Sequence, residues 1–219
     1  MNAPALEVYG RALQDASRSP CWPPLRLVDA GGRELGQVPL DRYLGQPGAE
    51  ERALLLRLPP PVLDVGCGPG RHVLALTELG IDALGIDVAP LAVALARRRG
   101  ADVVRASVFG AVPRAGRWGS ALLLDGNVGI GADPTALLRR VAALVLPGGV
   151  IAVEVEARPV PATQVPVRLC AGPAASEWFR WGRLDVAGLD ALALRAGLRI
   201  SARSRVGARC FAELRTPGR

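Results

Sequence analysis

Val62-Leu63-Asp64-Val65-Gly66-Cys67-Gly68-Pro69-Gly70-Arg71 is the stretch on which the fold turns. Pro59-Pro60-Pro61 stops the helix expected before it, and Val62 to Val65 is short and apolar enough for a buried strand. Three glycines at alternate positions follow, then Arg71 to Leu79 with helical spacing, closed by Gly80. A glycine turn between a buried strand and a helix lets the backbone approach a bound cofactor closely, because no Cβ stands in the way. Two familiar ligand motifs do not fit. A dinucleotide fingerprint needs glycine at the sixth position counted from Gly66, where Arg71 stands. A phosphate-binding P-loop ends in Gly-Lys-Ser/Thr, and the chain contains no lysine.

Downstream, strand and helix alternate at short intervals, the pattern of a parallel sheet covered on both faces. Strands are expected at Ala83 to Ile86, Val103 to Arg105, Ala121 to Leu124 and Val150 to Val155. Helices are expected from Pro90 to Arg99, with Gly100 just past it, and behind Asp133 from Pro134 to about Val145. Asp185 is expected to cap a helix reaching Arg195, and Arg199 to Ser204 and Arg209 to Leu214 complete the sheet. The fold class is α/β: a Rossmann-like, doubly wound, mostly parallel seven-stranded sheet with helices on both faces. Two additions are expected. Gln164 to Leu169 and Glu177 to Arg183 read as a small β insertion after the fifth strand. Leu25 to Val38 reads as a hairpin about Asp29-Ala30-Gly31-Gly32, followed by a short helix capped by Asp41 and carrying Tyr43. This divides the chain into an N-terminal extension, residues 1–48, and a core domain, residues 49–219.

Half of the 219 residues are hydrophobic, enough for one domain to fold without disulfides or a structural metal. The apolar run from Ala142 to Val155 is broken by Pro147-Gly148-Gly149, short of the roughly 18 apolar residues a membrane span needs. No secretory pattern is read in the first 19 residues, and the four cysteines match neither a disulfide framework nor a zinc motif, so a cytoplasmic protein without a metal is expected. All 27 basic residues are arginine against 20 acids, a net charge of +7. Such a balance can mark a partner carrying phosphates or simply a genome rich in arginine codons. Arg97 to Arg99 are accounted for by the dipole at a helix C-terminus, which leaves seven arginines between Arg195 and Arg219 facing the single acid Glu213.

Asp64, two residues before the Gly-x-Gly-x-Gly turn, completes a pattern that resembles the first motif of the class I S-adenosylmethionine-dependent methyltransferases. The resemblance extends over about Ala49 to Val155 and includes the Leu-Pro-Gly-Gly turn at 146–149. It implies S-adenosylmethionine as cofactor and S-adenosylhomocysteine as product. Gly66, Cys67, Gly68 and Gly70 would wrap the amino-acid part, and Asp64 would help position its ammonium group. Asp87, in Gly85-Ile86-Asp87-Val88, would accept from both ribose hydroxyls, with Val88 beside it. The family's adenine-binding aspartate falls at Ser107, next to Val108, and serine still offers an acceptor. Cys67 is expected to pack as a small apolar side chain.

In open parallel sheets ligands sit beyond the carboxyl ends of the strands, so Asp125-Gly126-Asn127 would face the reacting centre. Asp125, Asn127 and the lone histidine, His72, are the candidate catalytic residues. In-line displacement needs donor and acceptor held in register, which can supply roughly 7–11 kcal/mol of the barrier, so a general base is optional. The Pro-Pro-aromatic device of many nitrogen methyltransferases is replaced here by Asp-Gly-Asn-Val. Trp178, Phe179 and Trp181 are expected to wall a substrate pocket, with Tyr43 and the hairpin over the cofactor as a lid. The reading is therefore a methyltransferase for a small-molecule acceptor, such as a bacterial secondary metabolite. A nucleic-acid (RNA) methyltransferase and a non-catalytic binding protein of the same fold are the alternatives.

Overall fold

The computed structural model describes residues 3–19, 21–160 and 164–218. The chain begins with α1 (Ala5–Arg18), the hairpin β1 (Leu25–Asp29) and β2 (Glu34–Val38), and the short helix α2 (Leu40–Leu44). Then come α3 (Ala49–Leu56), β3 (Val62–Val65), α4 (Arg71–Glu78), β4 (Ala83–Asp87), α5 (Pro90–Arg98), β5 (Val103–Arg105) and β6 (Trp118–Leu123). The remainder is α6 (Pro134–Ala142), β7 (Val145–Val155), β8 (Gln164–Ala171), β9 (Ala174–Ala175), β10 (Phe179–Gly182), α7 (Leu189–Arg195), β11 (Arg199–Val206) and β12 (Arg209–Arg215).

Seven strands form one sheet in the order β11-β12-β7-β6-β3-β4-β5. Pairing is parallel from β7 to β5, while β12 runs antiparallel to both its neighbours. Both faces are covered. Leu137, Leu138 and Val141 of α6 with Leu189 and Leu192 of α7 pack on one, and Leu54 and Leu55 of α3, Val73 and Leu76 of α4 and Val93 and Ala96 of α5 on the other. All four residues of β3 are buried, as a strand covered on both sides must be. The chain proceeds from β3 to the β5 edge and then returns to lay β6 on the other flank of β3. That reversal opens a crevice at the carboxyl ends of β3 and β6.

Local chemistry explains most boundaries. Asp133 accepts from the N–H groups of Thr135 and Ala136 at 2.9 and 3.0 Å, capping α6 ahead of Pro134. Two expected caps fall elsewhere. Asp41 lies inside α2, which starts behind Pro39 without a side-chain cap, and Asp185 accepts from the Gly188 N–H at 2.7 Å one turn before α7 starts. Helix α1 was not anticipated, because Pro4 precedes it without a capping side chain. It forms by docking: Val8, Ala12, Leu13 and Ala16 are buried against Ala89, Ala92 and Leu95 of the α5 region. Gly10 permits the approach, since a Cβ there would lie 2.8 Å from Leu91 Cβ. The hairpin of the extension and the insertion after β7 are one structure. They share a second, antiparallel sheet in the order β10-β8-β1-β2, in which Leu27 faces Leu169. No described helix is long and apolar enough to cross a membrane.

Candidate active site at the glycine loop

The turn after β3 is built by backbone conformation. Gly66, Gly68 and Gly70 have φ of 72°, 52° and 80°, a region that penalises any residue with a Cβ. Gly66 and Cys67 donate to the Ile86 carbonyl at 2.8 and 3.1 Å, tying the loop to β4. Asp87, the last residue of β4, fixes it from the other side: Oδ2 accepts from the Gly68 N–H and Oδ1 from the Ala89 N–H, both at 2.8 Å. Burial pushes the Asp87 carboxyl pKa up, and these backbone donors partly offset that. Each of its oxygens keeps a lone pair for a further donor. Cys67 is buried in the notch over Gly85, where an added Cβ would lie 2.6 Å from its Sγ. Burial raises its thiol pKa well above the ordinary value, so it packs as a small apolar group.

Beyond β6, Asp125 and Gly126 both adopt left-handed backbone, φ 57° and 83°, a strained arrangement of the kind concentrated at functional sites. The Asp125 carboxylate is held by three arginines. Arg71 Nη2 lies 2.8 Å from Oδ2, and Arg209 Nη2 and Arg42 Nη2 each lie 3.1 Å from Oδ1. Glu51 of α3 accepts from Arg71 at 2.7 Å and contacts Arg209 at 2.8 Å, while Glu154 of β7 binds Arg209 at 2.7 Å and accepts from the Asp125 N–H. Three carboxylates thus meet three guanidinium groups from six separate segments. Burial alone would raise the Glu51 pKa, but bonds from His72, Arg71 and Arg209 overcome it and hold this carboxyl far below its usual range.

His72 is 3% exposed, with Nδ1 at 3.5 Å from Asp64 and Nε2 at 3.4 Å from Glu51. Burial pulls its pKa down, but these two carboxylates outweigh it and leave it raised. Asp64 lies beneath the loop, 1% exposed, with Oδ2 facing His72 Nδ1 at that 3.5 Å. Asn127 donates through Nδ2 to the carbonyls of Val65 and Gly66, both at 2.9 Å, so its side chain braces the glycine loop.

The roof comes from the N-terminal segment. Tyr43 donates to the Asp125 carbonyl at 3.3 Å, and the Tyr9 hydroxyl sits over the loop, 2.9 Å from where a Gly68 Cβ would be. Burial, then nearby carboxylates, raises the pKa of both phenols, so both are neutral. Together with the loop, Arg71, His72, Asp125 and Asn127, they enclose a cavity of about 40 Å³.

Of the expected aromatic wall, none of Trp178, Phe179 and Trp181 is among the residues that line the cavity. Trp181 lies against Gly129, just past Asn127, and meets Phe179 edge-on at 6.1 Å. Trp178, just before β10, is half exposed and stacked with Arg168 at 4.9 Å. Ser107 accepts from the Phe109 N–H at 3.2 Å, and Val108 is buried, its carbonyl taken by Arg140. The exposed apolar residues on this rim are Val88 and Phe109. Tyr9, Glu51, Arg71, Glu154, Arg209 and Phe109 were absent from the sequence-derived site. Their only signal was charge or aromaticity without a local partner.

These features define a Rossmann-like methyltransferase fold with a glycine-loop site. Residues 62–149 match the family model described as "Methyltransferase domain". A SAM-dependent methyltransferase from Bacteroides fragilis, crystallised with S-adenosyl-L-homocysteine, superposes with a TM-score of 0.81 at 24% identity, over 99% of this chain and 98% of that one. The CcbJ methyltransferase from Streptomyces caelestis gives 0.59 at 18% identity, covering 81% and 92%. The 1,6-didemethyltoxoflavin-N1-methyltransferase from Burkholderia thailandensis gives 0.57 at 22%, covering 77% of each.

Proposed function

We propose that this domain uses S-adenosylmethionine to methylate a small-molecule acceptor. The observation that carries the reading is Asp87: a carboxylate at the tip of β4 that binds the glycine loop and retains acceptor capacity for two vicinal hydroxyls. The residues around it suit the rest of such a cofactor. Left-handed glycines leave the loop backbone bare, and the exposed side chains of Val88 and Phe109 offer apolar surface to a planar base. When bound, S-adenosylmethionine supplies an electrophilic methyl group on a sulfonium centre.

The protein's own groups orient and enclose. Asn127 braces the loop, and Asp125 anchors the arginine cluster through both oxygens. The Asp125 carboxylate and the His72 ring are engaged, and the Tyr9, Tyr43 and Cys67 groups hold their protons. The site therefore favours acceptors that need no base within it, an amine nitrogen above all. The roof formed by Tyr9 and Tyr43 favours a small acceptor over a nucleic acid. The printed name of one neighbour, 1,6-didemethyltoxoflavin-N1-methyltransferase, agrees with transfer to nitrogen.

Calorimetry with S-adenosylhomocysteine tests the cofactor, with saturable binding expected for the wild type and weak binding for Asp87→Ala. Incubation with methyl-labelled cofactor and a panel of small amines, phenols and carboxylic acids tests the acceptor. Label on nitrogen is expected, and label on nucleic acid alone would overturn the reading.

A further inference from the structure

A second concavity shares no lining residue with the active-site cavity. It is an open groove of about 580 Å³ between the C-terminal ends of α1, α2 and α5, within the size range of small-molecule sites. Leu44, Leu95 and Ala16 supply its apolar part, and Arg18, Arg98 and Arg99 its charge. No carboxylate lines it among the described residues. Arg99 is half-buried and donates only to carbonyls, Leu44 at 2.6 Å and Pro69 at 2.9 Å, and burial without a counter-ion lowers its pKa. Arg18 and Arg98 are exposed and make no ion pair or side-chain hydrogen bond with any described residue. This contrasts with Arg42, Arg71 and Arg209, each of which is paired with an acid.

Helix ends explain part of this charge. The α1 and α5 C-termini each present about half a negative charge, which two half-charges offset about one of the three guanidinium groups. About two positive charges remain uncompensated over an apolar floor. A phosphomonoester or diphosphate carries the matching dianion, and guanidinium forks pair with phosphate oxygens in a bidentate manner.

We propose that this groove binds a small phosphate-bearing molecule, its phosphate held by Arg18, Arg98 and Arg99 and its apolar portion laid on Leu44 and Leu95. The inference does not depend on the methyl-transfer reading, since none of the groove's lining residues lines the active-site cavity.

The test is calorimetric titration of the full chain with pyrophosphate at fixed ionic strength. One saturable site is expected, with affinity at least about tenfold weaker in Arg18→Gln/Arg98→Gln, the loss that two charge-assisted contacts would produce. Arg11→Gln, on the same helix but outside the groove, should bind as wild type, and circular dichroism should show both variants folded. Absence of saturable binding at millimolar pyrophosphate would overturn the proposal, and so would equal binding by the double variant or an effect reproduced by chloride at matched ionic strength.

Discussion

The Arg71 guanidinium, 2% exposed, lies 2.8 Å from Asp125 Oδ2 although the two residues are 54 positions apart. Removing one member of a buried ion pair strands the other charge, which typically costs about 3–5 kcal/mol. Asp125→Asn leaves Arg71 and Arg209 to the remaining acids and should cost the lower end of that range. Glu51→Gln, which removes the charge facing Arg71, Arg209 and His72 together, should cost the upper end. Urea unfolding of the two variants checks the order, and equal, negligible losses would show that the cluster is not held as a unit.

Asp87→Ala should weaken S-adenosylhomocysteine binding by roughly 10- to 100-fold, the loss expected for two hydrogen bonds to a charged acceptor. Because burial raises the Asp87 pKa, wild-type affinity should fall toward acid pH sooner than an ordinary aspartate would require. In Asp87→Asn that pH dependence should vanish. Calorimetry between pH 4 and 8 reads both effects, and an unchanged slope in the asparagine variant would remove Asp87 from cofactor binding.

Stability should be greatest between the ordinary carboxyl and imidazole values. The raised His72 pKa means that the folded chain holds a proton the unfolded chain releases near pH 6.5. Its contribution is complete below pH 6.5 and is lost as pH rises through the folded value. Glu51 acts in the opposite sense: its lowered pKa contributes above 4.5 and is lost as pH falls below that value. His72→Gln should flatten the alkaline side only, as measured by urea unfolding across pH 4 to 9. A slope unchanged there would assign the loss to other groups.

Where interactions are local, the sequence was a reliable guide. Val62–Val65 and Val103–Arg105 form strands with the expected bounds, and Asp133 caps its helix, because burial period and capping act within a few residues. The ion cluster was invisible because its geometry is non-local: Glu51 and Arg209 meet across nearly the whole chain. Arg209 belonged to a tail of arginines that read as one basic edge, yet it turns inward while Arg203 pairs with Asp190 at the surface. The aromatic triplet is a different case. Proximity in sequence placed Trp178 with Trp181, but Trp178 precedes β10 and stacks with Arg168, whereas Trp181 within the strand lies against Gly129.

Gly85→Ala should destabilise the domain by about 1–3 kcal/mol, the usual cost of overfilling a packed site. The added Cβ would meet Cys67 Sγ at 2.6 Å and Cys67 Cβ at 2.8 Å, so Cys67→Ala cannot relieve it. Cys67→Gly removes both atoms and should recover part of the loss. Comparison of the single and double variants by thermal unfolding checks this, and additive losses would place the strain elsewhere.

Tyr9 is the residue whose removal should alter traffic at the site most. Its hydroxyl lies over Gly68, and the cavity beneath Tyr9 and Tyr43 is about 40 Å³, far below the roughly 300 Å³ at which small-molecule sites begin. The part of the cofactor that enters beneath Tyr9 therefore requires this ring to swing aside, and the ring returning over it would slow its escape. Tyr9→Ala should release S-adenosylhomocysteine about tenfold faster, whereas Tyr9→Phe, which keeps the ring, should stay within about threefold of wild type. Docking of α1 rests on Val8, Ala12, Leu13 and Ala16, so neither change should unseat the helix. Stopped-flow displacement gives the rates. If alanine and phenylalanine release the product alike, the ring is no gate and the roof must open elsewhere.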